Sequence, residues 1–138
     1  MRLIINCDGG ARGNPGPAAI GYVIKDKNKK ILFKYGEYIG TATNNIAEYR
    51  AVISALEKAL ELGGDDLEFY IDSELVVKQI NGLYKVKNKD LAEEFLKIYN
   101  LRSKFDSVVF HHVYREKNKE ADAMVNKALD EKLKKQSN

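Results

Sequence analysis

The hydrophobic pattern of this chain changes period at Asn45. Before that residue, three strand-like apolar runs (2–7, 18–25 and 31–39) are joined by short polar or glycine-rich segments, which is typical of an antiparallel meander. After it, helical spacing alternates with two further strand-like runs, which favours parallel pairing through right-handed crossovers. The pattern predicts an α/β fold: a five-stranded mixed sheet with helices on both faces and the element order βββαβααβα.

Six elements are predicted after the meander. They are a helix from Asn45 to the glycine pair at 63–64, a strand over 67–72, a short helix over 73–80, a helix over 90–104, a strand over 107–114 and a helix over roughly 119–134. A chain of 138 residues is expected to form one domain, here 1–138, with 131–138 as a frayed tail.

Composition narrows the class of protein. A hydrophobic fraction of 44% and a charged fraction of 31% are typical of soluble globular chains. No apolar stretch approaches the roughly 18–20 residues that span a bilayer. The single cysteine, Cys7, has no partner for an intramolecular disulfide, which fits a reducing compartment, and a buried strand position is favoured for it over a catalytic one. We expect a cytoplasmic monomer.

An acid precedes the most deformable segment of the chain. In "CDGGARGNPGPAAIGYVI", Asp8 ends the first predicted strand, and the connection 9–17 holds four glycines and two prolines. The segment is either a plain hairpin connection or a turn that leaves Asp8 uncrowded, so that the backbone and Asn14 can approach a ligand.

Asp72 ends the fourth predicted strand as Asp8 ends the first. In open α/β sheets, ligands bind beyond the carboxyl ends of the strands, so neighbouring strands would bring both carboxylates to one edge. A simpler alternative for Asp72 is capping of the helix at 73–80.

Two more acids lie near predicted helix starts. With Asn45 as the N-cap, Glu48 occupies the third helical position, where it could complete a capping box. Glu48 nevertheless shares the apolar face of its helix, where a carboxylate is costly unless it is protonated, paired or bound to a cation. Asp122 is in register with Val125 and Leu129, although an acid there also suits the helix dipole.

Four inward-pointing acids would repel one another unless something neutralised them. Oxygen ligands suit Mg²⁺ or Mn²⁺, and the chain has no Cys/His spacing that suits zinc. Two such ions form the clamp used for in-line phosphoryl displacement.

Basic residues occur in clusters at 25–30, 84–90, 115–120 and 132–135, within a net charge of +3. Such clusters are either solvated surface or the footprint of a nucleic-acid partner.

The sequence resembles type 1 ribonuclease H over roughly 2–130. Four segments carry the resemblance: "CDGGARGNPGPAAIGYVI", "TNNIAEYRAVISAL", "YIDSELVVKQINGLYKVKN" and "REKNKEADAMVNKAL". The resemblance implies a metal-binding and catalytic quartet of Asp8, Glu48, Asp72 and Asp122. It also implies substrate contacts from Gly9, Gly10, Asn14, Thr43, Asn44 and Asn45, although helix capping remains an alternative for Asn44 and Asn45.

The implied activity is two-metal hydrolysis of the RNA strand of RNA–DNA hybrids with Mg²⁺ or Mn²⁺, leaving 3′-hydroxyl and 5′-phosphate ends. Double-stranded RNA and RNA–DNA junctions remain possible substrates. The rival interpretations are another nuclease of the same fold and a catalytically silent hybrid-binding module. An intact acid quartet argues against the silent module, because a pure binder gains nothing from buried negative charge facing phosphates.

Two departures from the family pattern stand out. Only "NGLYKVKNKD" joins the second and third helices, so the chain resembles the compact archaeal-like subgroup without a basic protrusion, and Lys85 and Lys87 become candidate phosphate contacts. The loop before Asp122 holds no histidine, which makes Arg115 the candidate to act there. His111 and His112 fall inside the fifth predicted strand and are expected to be sheet residues.

Overall fold

The computed structural model describes residues 1–136, and its strands and helices follow the predicted order. The elements are β1 Arg2–Ala11, β2 Gly16–Asp26, β3 Ile31–Ala42, α1 Asn44–Glu61, β4 Asp66–Ile71, α2 Glu74–Ile80, α3 Lys89–Arg102, β5 Ser107–His112 and α4 Lys119–Gln136. A single 3-10 turn, Arg115–Lys117, precedes α4. Within the described residues, none of the helices is sufficiently long and apolar to cross a lipid bilayer.

The five strands form one mixed sheet in the order β3-β2-β1-β4-β5. β1 pairs antiparallel with β2, and β2 with β3, while β4 runs parallel to both β1 and β5. The predicted fold is therefore confirmed. Since β1 and β4 are parallel neighbours, their carboxyl ends meet at one edge of the sheet.

Helices cover both faces of the sheet. On one face, alternate residues of β1 (Leu3, Ile5 and Cys7) join the main core with Val52 and Ala55 of α1. On the other face, α4 packs against β2 and β3. Its Val125 and Leu129 pack with Ala19 of β2 in a second, smaller core cluster.

Two glycines let the backbone of α4 rest directly on the sheet. A Cβ atom at Gly21 would lie 2.5 Å from the backbone oxygen of Ala121, and one at Gly36 would lie 2.5 Å from that of Met124. Because any side chain at these positions would push the helix away, both glycines set the height of α4 above β2 and β3.

The first strand is longer than predicted. Residues 9–11 continue β1 and pair with 18–20 of β2, so the connection shrinks from the predicted 9–17 to 12–15. Asp8 therefore lies three residues before the end of β1. Pairing with β2 overrides the weak strand preference of the glycines.

The helix caps also differ from the prediction. Thr43, and not Asn45, is the N-cap of α1, and its hydroxyl accepts a hydrogen bond from the Ile46 backbone N–H. Glu48 thus lies one turn into the helix, beyond the reach of a capping box. Ser73 is the N-cap of α2, which removes the capping alternative for Asp72.

The last helix extends into the segment 131–138, where a frayed tail is predicted. α4 continues to Gln136, two residues past its predicted end, and residues 137–138 lie outside the described part of the chain. β5 ends at His112, two residues short of the prediction.

Candidate active site

Three carboxylates meet at the edge of the sheet shared by β1 and β4. Asp8, Glu48 and Asp72 each offer an oxygen, and these oxygens all lie within 4.8 Å of one another. The parallel register pairs Cys7 with Ile71, so Asp8 and Asp72 follow at equivalent positions of adjacent strands. Glu48 reaches the same point from α1.

Glu48 is held by the backbone of β1. The Gly9 N–H donates a 2.7 Å hydrogen bond to Glu48 Oε1. A Cβ atom at Gly9 would lie 2.3 Å from the carbonyl group of Ala47, so only glycine lets α1 approach this closely. The other carboxylate oxygen, Glu48 Oε2, is buried and has no hydrogen-bond partner among the described residues.

The cluster shifts the pKa of each acid upward. Burial, together with the charges of Asp72 and Asp122, raises the pKa of Asp8 from 3.8 to about 7, although the neighbouring Glu48 carboxyl opposes that shift. Burial and then Asp8 raise the pKa of Glu48 well above its ordinary value, and burial raises that of Asp72. Three oxygen donors, one without a partner, fit a hard divalent cation, which would compensate their charge.

Asp122 lies at the rim of this cluster. Its side chain is about one-third exposed, accepts a 3.3 Å hydrogen bond from Asn126 Nδ2, and has an oxygen 3.9 Å from Arg115 Nη2. Its charge nevertheless contributes to the raised pKa of Asp8. The fourth predicted ligand is therefore adjacent to the other three, although it lies outside their 4.8 Å group.

An open cavity of about 410 Å³ lies over the carboxylates. Its lining includes all four acids, the backbone of Gly9 and Gly10, Asn44, Asn45 and Arg115. Sequence reasoning missed Arg12 and Asn126, which also line it. Arg12 lies in the β1–β2 connection and pairs with Asp130 at 2.6 Å. Its position two residues before Asn14 was a usable signal, as was the i,i+4 spacing of Asp122 and Asn126.

Amide side chains fix the connections beside the cavity. Asn14 Oδ1 accepts a hydrogen bond of 3.0 Å from the Asn44 N–H, and Asn44 Oδ1 accepts one of 2.8 Å from the Ala11 N–H. A second cavity of about 230 Å³ is lined by Asn14, Thr43 and Asn45. Asn45 borders both cavities, so the predicted polar contacts form one continuous surface.

The remaining candidates lie elsewhere. Lys85 and Lys87 are exposed between α2 and α3 and line neither of these two cavities. His111 and His112 are in β5 as predicted; the His111 ring stacks on Tyr70 at 5.1 Å, and Glu68 lies 3.8 Å from its Nε2.

The raised pKa of Asp8 predicts a pH-dependent stability in the absence of divalent ions. The folded state binds the Asp8 proton more tightly than the unfolded chain, so the resulting stabilisation is complete below about pH 4 and disappears as pH rises through about 7. The Tm of Asp8→Asn minus that of the wild type should therefore be smallest at pH 4 and largest above pH 7. Calorimetry in chelator-containing buffer measures it, and a constant difference across this range would contradict the prediction.

Comparisons with known proteins agree with the geometry. A family model described as reverse transcriptase-like matches residues 6–128. Ribonuclease HI of Halobacterium salinarum is 45% identical over 124 residues, which are 90% of this chain and 62% of that protein. A bifunctional protein of Mycobacterium tuberculosis is 40% identical over 131 residues, 94% of this chain but 36% of its own length. The chain thus spans less than two thirds of either relative.

Solved structures match over almost the full chain. RNase H1 from Halobacterium salinarum has a TM-score of 0.93 at 44% identity, covering 95% of this chain and 99% of that one. LC11-RNase H1, solved in complex with an RNA/DNA hybrid, has a TM-score of 0.90 at 48% identity with the same two coverages. The chain therefore belongs to the reverse transcriptase-like family, within the type 1 ribonuclease H group.

Proposed function

We propose that this protein is an endoribonuclease that hydrolyses the RNA strand of RNA–DNA hybrids. The observation that carries the proposal is the buried carboxylate cluster at the floor of an open cavity bordered by amide side chains. The hybrid bound to LC11-RNase H1, at 48% identity, supports the substrate class.

Asp8, Glu48, Asp72 and Asp122 are proposed to hold two Mg²⁺ or Mn²⁺ ions. Bound there, the ions would activate water and stabilise the leaving oxygen of an in-line displacement, giving 3′-hydroxyl and 5′-phosphate ends. The Gly9 N–H keeps one Glu48 oxygen in place and leaves the other free to coordinate.

Hybrid recognition is assigned to the amide-lined surface. An A-like duplex presents 2′-hydroxyls in a wide, shallow minor groove, which suits Asn14, Asn44 and Asn45 and the backbone of Gly9 and Gly10. Such contacts read the backbone and not the base edges, so cleavage is expected to be largely independent of sequence.

Phosphate contacts outside the cavity are assigned to Lys85 and Lys87, whose exposure between α2 and α3 leaves them available to a long duplex. Action as a monomer is part of the proposal, because the four acids, Asn44 and Asn45 all border one cavity of a single fold. The buried, unpaired Cys7 supports a reducing, cytoplasmic location.

One assay tests the proposal against its rivals. Strand-labelled RNA–DNA hybrid, double-stranded RNA, double-stranded DNA and an RNA–DNA junction are incubated with the protein and Mg²⁺ or Mn²⁺. We expect internal cuts in the RNA strand of the hybrid. Cleavage of DNA alone would indicate another nuclease of the fold, and tight binding of hybrid without cleavage would indicate a silent module.

Arg115 is expected to act on the phosphate through its charge. Its side chain is 81% exposed, borders the cavity and lies 3.9 Å from Asp122. A guanidinium carries hydrogen-bond donors and no acceptor, so its role here is electrostatic. Arg115→Ala should lower kcat about ten- to a hundredfold with little change in KM, as expected for a contact made in the transition state. Arg115→Lys should recover part of the rate, because it keeps the charge but not the planar fork. An unchanged kcat in the alanine variant would make Arg115 an ordinary surface residue.

A further inference from the structure

Asn118 is the most buried of the buried polar and charged side chains among the described residues. It is 1% exposed, although it lies in the Lys/Asn-rich stretch before Asp122 that reads as a surface loop. It follows the 3-10 turn that carries Arg115 and directly precedes α4. Burying an amide is costly unless its donors and its acceptor are hydrogen-bonded. The hydrogen-bond partners of Asn118 therefore indicate its structural role.

The side chain of Asn118 connects β1 with the carboxylate cluster. Its Nδ2 group donates to the Cys7 carbonyl oxygen at 2.8 Å and to Asp72 Oδ2 at 3.4 Å. Its Oδ1 atom accepts a hydrogen bond of 3.0 Å from Asn6 Nδ2. Both N–H groups and the oxygen of the amide are thus used. Because a backbone carbonyl only accepts, the Cys7 contact fixes the Nδ2 end of the amide on the side of Asp72.

The backbone of Asn118 holds the two other segments that border the site. Its carbonyl oxygen accepts a 3.1 Å hydrogen bond from the Asp122 N–H, and its own N–H donates at 3.0 Å to the Arg115 carbonyl oxygen. One residue therefore ties β1, Asp72, the first turn of α4 and the 3-10 turn together.

A neutral donor suits this position better than a cation would. A lysine or arginine beside Asp72 would satisfy the carboxylate but compete with a divalent ion for its charge. An amide N–H orients one carboxylate oxygen and leaves the negative charge in place. Partners of this kind, which orient ligands without touching the metal, typically contribute 10- to 100-fold to metal affinity or activity.

We propose that Asn118 is a positioning residue that presets Asp72 and Asp122 for divalent-ion binding. This inference rests on the proposed function, because it takes those acids to be metal ligands. Asn118 acts through its hydrogen bonds alone and contacts neither the hybrid nor the ions.

The test measures Mn²⁺ affinity by calorimetry on the substrate-free protein, alongside Tm and hybrid cleavage. Asn118→Ala should weaken Mn²⁺ binding about 10- to 100-fold, and raised Mn²⁺ should restore part of its cleavage rate. The Asp122 amide should also exchange with solvent faster than in the wild type. Gln79→Ala is the matched control, because it removes another buried amide, whose oxygen accepts from the Tyr49 hydroxyl at 2.7 Å. Gln79→Ala should lower Tm and leave Mn²⁺ affinity unchanged.

Asn6→Ala provides a second variant in case Asn118→Ala does not fold. It removes only the anchor of Asn118 Oδ1 and should weaken Mn²⁺ binding severalfold. Wild-type Mn²⁺ affinity in whichever of these two variants folds would overturn the inference, as would an equal loss in Gln79→Ala. Hybrid cleavage by the wild type is measured separately. If the wild type binds Mn²⁺ but does not cut the hybrid, the proposed function is wrong. The comparison of Mn²⁺ affinities still decides the role of Asn118.

Discussion

Asp8→Asn should reduce hybrid cleavage to background while raising Tm by several degrees. The amide keeps the shape of the side chain but removes a carboxylate from the centre of the cluster, so a cation loses a ligand. The same change relieves the repulsion and burial cost that raise the pKa of Asp8 to about 7. Each kilocalorie per mole gained corresponds to roughly 2–8 °C in Tm for domains near this size.

Asp72→Asn should also abolish cleavage, with a smaller gain in Tm because Asp72 is only half-buried. Added Mn²⁺ should raise the Tm of the wild type and have little effect on either variant. Glu93→Gln is the matched control, since it removes an exposed carboxylate on α3 and should leave cleavage and the Mn²⁺ response unchanged. Near-wild-type turnover in both aspartate variants would refute the metal assignment.

Gly9→Ala should destabilise the fold by about 3 kcal/mol or more, because its Cβ atom would lie 2.3 Å from the Ala47 carbonyl group. A backbone neighbour cannot avoid the clash by changing rotamer, so α1 must move and carry Glu48 with it. Gly10→Ala is a control one residue away: its Cβ would meet only Val125 Cγ1, at 3.8 Å, which is an ordinary contact.

Thermal unfolding followed by circular dichroism separates the two glycine variants. We expect a Tm loss of roughly 10 °C or more for Gly9→Ala and only a few degrees for Gly10→Ala. Equal losses would mean that both glycines are needed for backbone freedom, and that the close approach of α1 is not the cause.

The order of strands and helices could be predicted because the side chains that face the core recur with the period of each element. That spacing of apolar residues can be read from the sequence alone. The meeting of Asp8 and Asp72 followed from one added rule, that parallel neighbours share a carboxyl edge. Glu48 was predictable because a carboxylate on an apolar helix face is unusual enough to need a reason.

Other features depend on contacts distant in sequence and were missed or misplaced. Residues 9–11 read as a turn because glycine weakens a strand, and only pairing with β2 extends β1 through them. Asn45 is predicted as the N-cap of α1, but Thr43 takes that place, while the hydrogen bonds of Asn44 go to Ala11 and Asn14. Asn118 could not be predicted as buried, because its partners come from β1 and from Asp72, which follows β4, and its neighbours in sequence are charged.

The contacts at the carboxylate site join segments that are far apart in the sequence, and this has a consequence for synthesis of the chain on the ribosome. β1 can pair with β2 early, but its other edge stays unpaired until β4 is made, because the β4 partner of Arg2 lies 64 positions later. The Asn118 contact with Cys7 spans 111 positions. Contacts this distant form slowly and only once both segments are available. Until residues 118–122 have left the ribosome, the nascent chain lacks Asp122. It also lacks the hydrogen bonds by which Asn118 joins Cys7 to Asp72. Translation should therefore leave the carboxylate site incomplete until the start of α4 has emerged, although Asp8, Glu48 and Asp72 are made earlier.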